Sequence, residues 1–347
     1  MYTLKSTDFR YPLQKNLIAQ HPKTPRDECK LMIVDRKTGN IETKKFKNII
    51  DYMDEGDCMV INDSKVFPAR LFGHKEKTNA KIEVFLLRQL SADENIWDVL
   101  VDPARKVRIG NRIFLTKNLF CEVIDNTTSR GRIVRFNYRG DFQKYIAKLG
   151  KTPLPPYVKR DATDKDSDSY QTIFAENVGS VAAPAAGLHF TKELVKKIER
   201  KGINIAPITM HVGLGIFRPV EVEDLTKHRM DSEFFNIPDS TASLVNNTVD
   251  NRKKIISIGT SVARVLEANT TAGRLIRSGY GWTDKFIYPP QTLKVVDKLV
   301  TNFHMPQSTN LMLKCAFAEK ELILKAYKKA VKEKYRFFSF GDAILII

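Results

Sequence analysis

Two kinds of hydrophobic spacing divide this chain, and the place where one gives way to the other limits the folds open to it. From Ile61 to Phe136 the apolar residues recur in short strand-like runs with no helical stretch between them. Ile82, Val84 and Leu86 alternate with Glu83, Phe85 and Leu87, and runs at 97–101, 112–115, 120–124 and 132–136 follow, separated by polar or glycine-containing breaks. Strands at that spacing predict a small antiparallel barrel or sandwich. Beyond Thr191 the pattern changes. Leu194, Val195 and Ile198 mark a helix that Thr191 can cap and Gly202 can end. The run Ile255-Ile256-Ser257-Ile258-Gly259 is apolar throughout, as a strand buried on both faces should be. Thr260 or Ser261 is then expected to cap a helix burying Val262, Val265 and Leu266. Leu322, Ile323, Ala326, Tyr327, Ala330 and Val331 form a helical stripe, and 337–340 and 343–347 return to strand.

Alternation of this kind predicts an α/β domain with a largely parallel sheet. Two strand-like runs, Leu31 to Val34 and Met59 to Ile61, precede the strand-only region and belong to that sheet. The expected architecture is a discontinuous α/β domain, 1–60 plus 150–347, with an inserted small antiparallel β-barrel domain, 61–149. Phe142, Tyr145, Ile146 and Leu149 close the insert with a short helix, Gly150 standing at its C-cap. Lys151-Thr152-Pro153-Leu154-Pro155-Pro156-Tyr157 is an extended connection. The polar stretch 161–169 is the expected mobile loop.

Composition narrows the functional classes. Of 347 residues, 57 are Lys or Arg and 40 Asp or Glu, a formal net charge of +17. Such a surplus attracts polyanions, nucleic acid first among them, although lysine-rich composition alone also produces it. Hydrophobic content of 42% excludes a disordered chain. No apolar run of about 18 residues is present, so no membrane span is expected. The polar N-terminus carries no secretory signal pattern. Cys29, Cys58, Cys121 and Cys315 are scattered, with no metal-ligand spacing, and read as free thiols in a reducing cytoplasm.

The familiar cofactor motifs are missing: there is no P-loop, no dinucleotide fingerprint around His211-Val212-Gly213-Leu214-Gly215, and no zinc-hydrolase pattern. Four segments carry polar residues beyond the needs of packing. In the first, Val181 to Thr191, small residues allow close backbone approach, and His189 stands just before a helix N-terminus that would favour its neutral form as a general base. The second places His211 before a glycine-flexed loop. The third, Thr301-Asn302-Phe303-His304-Met305-Pro306-Gln307-Ser308-Thr309, offers an amide, an imidazole and hydroxyls, with Ser308 or Thr309 also able to cap the next helix. For any one of these histidines taken alone, a structural hydrogen-bonding role is the better reading. The fourth, Tyr335-Arg336-Phe337-Phe338-Ser339-Phe340-Gly341-Asp342, reads either as a buried closing strand or as an aromatic platform with Arg336 and Asp342 toward a ligand.

Taken in order, these and other segments resemble the S-adenosylmethionine:tRNA ribosyltransferase-isomerase family of queuosine biosynthesis. The stretches are Leu17-Ile18-Ala19-Gln20-His21-Pro22 with Arg26-Asp27, Asn62-Asp63-Ser64-Lys65 through Arg70-Leu71, Leu154-Pro155-Pro156-Tyr157 and Tyr170-Gln171-Thr172. Gly179 to Thr191, His211 to Gly215, Thr301 to His304 with Ser308-Thr309, and Tyr335 to Asp342 complete the set, which covers nearly the whole chain. Departures from the usual pattern fall at Cys29-Lys30, Ala185, Ile216, Asp231, Pro290 and Asn310.

The resemblance implies transfer and isomerisation of the ribosyl unit of S-adenosylmethionine onto 7-aminomethyl-7-deazaguanine at the wobble position of tRNA with a GUN anticodon. Epoxyqueuosine would form, and adenine and methionine would leave. S-adenosylmethionine would be co-substrate rather than cofactor, no metal would be needed, and a monomer is favoured. On this reading His189 is the first-choice base and His211 the second. Asn302, His304, Ser308 and Thr309 hold ribose, adenine or deazaguanine. Arg26, Arg70 and Arg336 face phosphate or the methionine carboxylate, with Asp27, Thr191 and Asp342 completing the binding set. The competing readings are a non-catalytic basic RNA-binding protein and an S-adenosylmethionine-dependent methyltransferase.

Overall fold

The computed structural model describes residues 4–128 and 130–347. The chain forms two compact units. One comprises Met1–Lys65, Pro155–Arg160 and Ser169–Ile347; the other comprises Val66–Leu154 and Asp161–Asp168.

The larger unit is built on a nine-stranded sheet in the order Gly279–Thr283, Glu233–Ile237, Asn204–Met210, Cys58–Asn62, Ile255–Ile258, Lys298–Asn302, Ala343–Ile346, Lys30–Val34, Ile41–Lys45. The four strands from Asn204–Met210 to Lys298–Asn302 are mutually parallel, and Lys30–Val34 runs parallel to Ala343–Ile346. Pairing is antiparallel at both margins and between Lys298–Asn302 and Ala343–Ile346. Unbroken apolar strands fit this sheet because both faces are covered. Met32, Val34, Cys58 and Val60 point into one core, which Val262, Val265 and Leu266 of the helix Thr260–Ala268 also enter. Leu31, Ile33, Met59 and Ile61 point into the other, with Leu194 and Ile198 of the helix Lys192–Arg200. As expected, Thr191 caps that helix, its hydroxyl accepting from the Leu194 N–H at 3.2 Å, and Gly202 follows with φ +80°.

The smaller unit is a closed antiparallel barrel of six strands: Arg70–Lys75, Lys81–Ser91, Ile96–Asp102, Arg112–Thr116, Leu119–Asn126 and Gly131–Tyr138. The last strand pairs with both Ile96–Asp102 and Leu119–Asn126, which closes the ring and removes free edges. Leu71, Val84, Val99, Ile113, Cys121 and Val134 fill its interior. The helix Phe142–Leu149 ends at Gly150, where a Cβ would come within 2.1 Å of the Pro68 carbonyl oxygen; close approach, rather than a left-handed turn, calls for glycine there. In the polar stretch after the proline run, Asp166–Ser169 is a helical turn, with Asp166 buried and accepting from the Thr163 N–H at 2.8 Å and hydroxyl at 2.9 Å.

One strand expected near the C-terminus is absent. Residues 337–340 make a turn, with Phe338 at φ +70° and the Gly341 N–H bonded to the Phe338 carbonyl at 2.9 Å. The alternation of aromatic side chains comes from a folded-back segment packed on all sides. A Cβ at Gly341 would meet the Arg336 carbonyl oxygen at 2.4 Å, closer than an extended chain would bring it.

Candidate active site

The parallel strands place their carboxyl ends together, where α/β sheets hold ligands. Two of these ends build the wall of a cavity in the larger unit. Ile255–Ile258 leads through Gly259 into the helix Thr260–Ala268, and Lys298–Asn302 leads into His304. Gly259, Thr260, Ser261, Arg264, Thr301, Asn302, His304, Met305 and Ser308 line the cavity, with Glu233, Tyr157, Ala183 to Ala186, Phe338 and Ser339 around them.

The structure brings Asn302, His304 and Ser308 together on this wall. Ser308 caps the helix Thr309–Phe317, accepting from the Leu311 N–H at 3.3 Å while its hydroxyl donates to the Met305 carbonyl at 2.7 Å. Thr309 lines an adjoining depression that also includes Asp231 and Arg218.

His189 and His211 are not among the lining residues. His189 lies behind Asn302, fully enclosed. The Asn302 amide nitrogen donates to the Phe338 carbonyl at 3.0 Å and lies 3.1 Å from His189 Nε2. A carbonyl can only accept, so this contact assigns the amide orientation, and the second amide N–H points at Nε2. A neutral ring then carries its proton on Nδ1, which faces the Cys29 sulfur at 3.1 Å. Burial holds the His189 pKa down to about 4, against which the Asn302 hydrogen bond works. Burial pushes the Cys29 thiol up, so it stays protonated. The outcome is that Asn302 Oδ1, in a residue that lines the cavity, is buried without a hydrogen-bond partner among the described residues. His211 lies elsewhere: its Nδ1 meets the Ser64 hydroxyl at 3.0 Å, Ser64 is bonded to the Ser180 hydroxyl at 2.6 Å, and its ring stacks on Phe234. Burial lowers its pKa.

The low pKa of His189 has a consequence for stability. The unfolded chain, with an ordinary value of 6.5, binds the proton that the folded one refuses until about pH 4. Stability is therefore complete above 6.5 and falls as the pH drops from 6.5 toward 4. The linkage predicts a loss of about 2 kcal/mol by about pH 5 that a His189→Gln variant does not share, measured by urea unfolding at both ends of the window.

Other predicted residues make hydrogen bonds within the fold. Arg26 donates to the carbonyls of Gln171 at 2.7 Å and Ser169 at 3.3 Å. Asp27 accepts from the Thr191 hydroxyl at 3.1 Å. Arg336 donates to the His21 carbonyl. Asp342 accepts from the backbone N–H groups of Lys30 at 2.8 Å and Arg336 at 2.7 Å. Arg70 belongs to the barrel unit and pairs there with Glu83 through two contacts of 2.9 and 3.0 Å.

Three charged residues at the cavity escaped the sequence reading. Arg264 and Glu233 form a buried pair, Nη1 to Oε2 at 2.5 Å, and both line the wall. Behind His304 stands Lys314, which is fully buried and, among the described residues, pairs with no carboxylate. Its amine donates to the Asn302 carbonyl at 2.9 Å, lies 2.8 Å from His304 Nδ1, and also meets the Tyr327 hydroxyl. That hydroxyl accepts from the His304 N–H at 3.1 Å. With the lysine amine on Nδ1, the ring is assigned the tautomer that carries its proton on Nε2, a hydrogen-bond donor in a residue that lines the cavity. Burial first, and Lys314 second, hold the His304 pKa well below the ordinary value; burial likewise holds the Lys314 pKa well below its own. The available signal was a single charged residue in an apolar stripe, Lys314 within 311–317 and Arg264 within 262–266.

Of the departures from the family pattern, Ala185, Ile216 and Asn310 line the cavity, and Asp231 pairs with Arg218 at 2.5 Å on the exposed rim of the adjoining depression. Among the described residues no group of three or more His, Cys, Asp or Glu could hold a metal ion, and no helix is long and apolar enough to cross a membrane.

The family described as "Queuosine biosynthesis protein" matches residues 6–346. The chain is 57% identical to the S-adenosylmethionine:tRNA ribosyltransferase-isomerase of Cytophaga hutchinsonii, over 99% of this chain and 100% of that one. It is 52% identical to the enzyme of the same name from Chloroherpeton thalassium, with the same coverage. The crystal structure of S-adenosylmethionine tRNA ribosyltransferase from Thermotoga maritima is similar at 37% identity, covering 98% of this chain and 100% of that one, with a TM-score of 0.56.

Proposed function

The chain belongs to the queuosine biosynthesis protein family, and from that premise we propose that it is an S-adenosylmethionine:tRNA ribosyltransferase-isomerase. It moves the ribosyl unit of S-adenosylmethionine onto 7-aminomethyl-7-deazaguanine at the wobble position of a GUN-anticodon tRNA and isomerises it to the epoxycyclopentanediol of epoxyqueuosine, with adenine and methionine leaving. The observation that carries this reading to the site is the pair of cavity groups with complementary hydrogen-bonding character. Asn302 Oδ1 is, among the described residues, an unsatisfied acceptor, and His304, with Lys314 Nζ on its Nδ1, is assigned as a donor through Nε2. A departing adenine needs a donor at a ring nitrogen, and its amine or the ribose hydroxyls need an acceptor.

In this reading the two groups act directly, while His189 is a positioning residue that turns the Asn302 amide so that Oδ1 stays free for substrate. Its own lone pair is occupied by that contact, which disfavours it as the proton-abstracting base. His211, half-exposed and bonded to Ser64, keeps the base assignment open to test. The basic surplus of +17 suits an RNA substrate, and a cytoplasmic location follows from that substrate.

The test is single-turnover release of free adenine from S-adenosylmethionine and tRNA carrying the modified base. The wild-type protein is expected to release adenine. A His189→Gln variant is expected to slow release by roughly tenfold, the loss of a positioning contact, rather than the roughly 10²-fold or more expected for loss of a general base. S-adenosylhomocysteine as the product would make the protein a methyltransferase; tRNA binding without adenine release would make it a binding protein.

A further inference from the structure

The helix Thr260–Ala268 begins at the cavity without a side-chain cap. The sequence suggests Thr260 or Ser261 as the cap, but the cap position is Gly259, at φ +104°, and neither hydroxyl takes that role. The first helical N–H with a carbonyl partner in this turn is that of Ala263, bonded to the Gly259 carbonyl at 3.2 Å. Among the described residues, the N–H groups of Thr260, Ser261 and Val262 therefore have no partner, at the end of the helix that carries partial positive charge. Gly259, Thr260 and Ser261 all line the cavity.

A second observation at the same place points to a ligand. Arg264, one turn further along, is 3% exposed and lines the cavity. Its Nε donates to the Lys285 carbonyl at 3.0 Å and its Nη1 to Glu233, yet Nη2 is buried with no partner among the described residues. A guanidinium nitrogen left unpaired in a protein interior is costly. Glu233, 5% exposed, accepts from the Gly213 N–H at 2.8 Å and from Arg264 at 2.5 Å, which leaves acceptor capacity on both oxygens.

A carboxylate beside these donors disfavours a phosphate dianion, which Glu233 would repel. It suits a group that brings a cation next to its anion. We propose that this corner of the cavity is the subsite for a zwitterionic α-amino-acid head group. The carboxylate lies on the open N–H groups of Thr260 and Ser261 and on Arg264 Nη2, and the ammonium lies on Glu233. On the reaction assigned above, on which this inference rests, the head group is the methionyl end of S-adenosylmethionine. The sulfonium and ribose then extend along the wall toward Asn302 and His304.

The experiment compares binding of S-adenosylmethionine and of decarboxylated S-adenosylmethionine, which keeps the sulfonium and amine but lacks the carboxylate, by calorimetry without tRNA. The wild-type protein is expected to prefer the carboxylated compound by roughly 10- to 100-fold, the range for charge-assisted hydrogen bonds. In a Glu233→Gln/Arg264→Met double variant, which leaves no lone buried charge, the preference is expected to shrink to within about threefold. Should that variant not fold, Thr260→Pro decides the same question. Proline is favoured at the first helical position and removes one of the open N–H groups, so a reduced preference is expected there too.

Equal binding of the two compounds by the wild type overturns the proposal. So does a folded double variant that keeps the full preference, or competition by inorganic phosphate without any effect of the carboxylate. Adenine release is measured in parallel. A wild type that prefers the carboxylate but releases no adenine keeps the subsite and loses the reaction. One that releases adenine without that preference keeps the reaction and loses the subsite.

Discussion

Single-turnover adenine release by a Lys314→Met variant is expected to fall roughly 10²-fold, the scale for loss of a positioned proton donor. Its pH profile is expected to change as well. Lys314 sits within hydrogen-bond distance of His304 Nδ1 and is fully buried. While it donates there, the imidazole proton stays on Nε2 and faces the cavity. Methionine fills similar space without a donor, so the ring can move its proton to Nδ1 and turn an acceptor toward substrate. The groups around this histidine are few: Lys314, Tyr327 whose hydroxyl accepts from the His304 N–H, and Tyr11 whose hydroxyl donates to the His304 carbonyl at 2.5 Å. Cys315 acts on Lys314 from the next position.

Burial still depresses the His304 pKa in the variant, but the lysine contribution is gone, so protonation begins at a higher pH than in the wild type. Activity should therefore decline with falling pH over a range where the wild type is flat. Nitrogen-15 chemical shifts report the tautomer directly. The wild type is expected to show protonated Nε2, and Lys314→Met a mixture. A Lys314→Gln variant, whose amide can still donate, is expected to recover part of both the rate and the tautomer. An unchanged Nε2–H signal in a folded Lys314→Met protein would remove the lysine from this role.

Truncating Arg264 to Ala should cost about 3–5 kcal/mol of unfolding free energy, because it strands Glu233 as a buried charge without its partner. Both partners are under 10% exposed, Arg264 at 3% and Glu233 at 5%. Replacing both together by Gln and Met is expected to restore most of that loss. Urea unfolding of the two variants beside the wild type measures the difference. Equal destabilisation by the single and double changes would mean that the arginine stem, not the charge pair, carries the stability.

The arrangement sorts the polar residues of the larger unit by what they touch. Arg26, Asp27, Thr191, Arg336 and Asp342 occupy motif positions, yet their described contacts are with backbone or with one another. They join the N-terminal segment, the Thr191 cap and the C-terminal turn into one piece behind the cavity wall.

Much of the architecture was legible from spacing. Period-two alternation without helices marked the barrel, and continuous apolar runs marked strands with two buried faces, because a strand's side chains alternate strictly while a sheet covered on both sides needs every one of them apolar. The Thr191 cap and the stripe from Leu322 to Val331, which is the helix Lys320–Lys332, follow from equally local physics. The turn at Phe338 was not legible, since aromatic residues packed around a reversal leave the same alternation as a strand.

The site divided in the same way. Asn302, His304 and Ser308 stood out because an amide, an imidazole and hydroxyls clustered within one short segment. Which histidine faces the cavity was decided elsewhere, by partners far along the chain: Cys29 and Asn302 for His189, Ser64 for His211, Lys314 and Tyr327 for His304. The charge pair of Glu233 and Arg264 spans 31 positions and two different elements. Sequence alone determined the fold class and the family, because those rest on local periodicity and ordered motifs. Tertiary structure decided which nitrogen carries a proton and which polar atom is left open, because burial and hydrogen-bond partners are set by residues that only folding brings together.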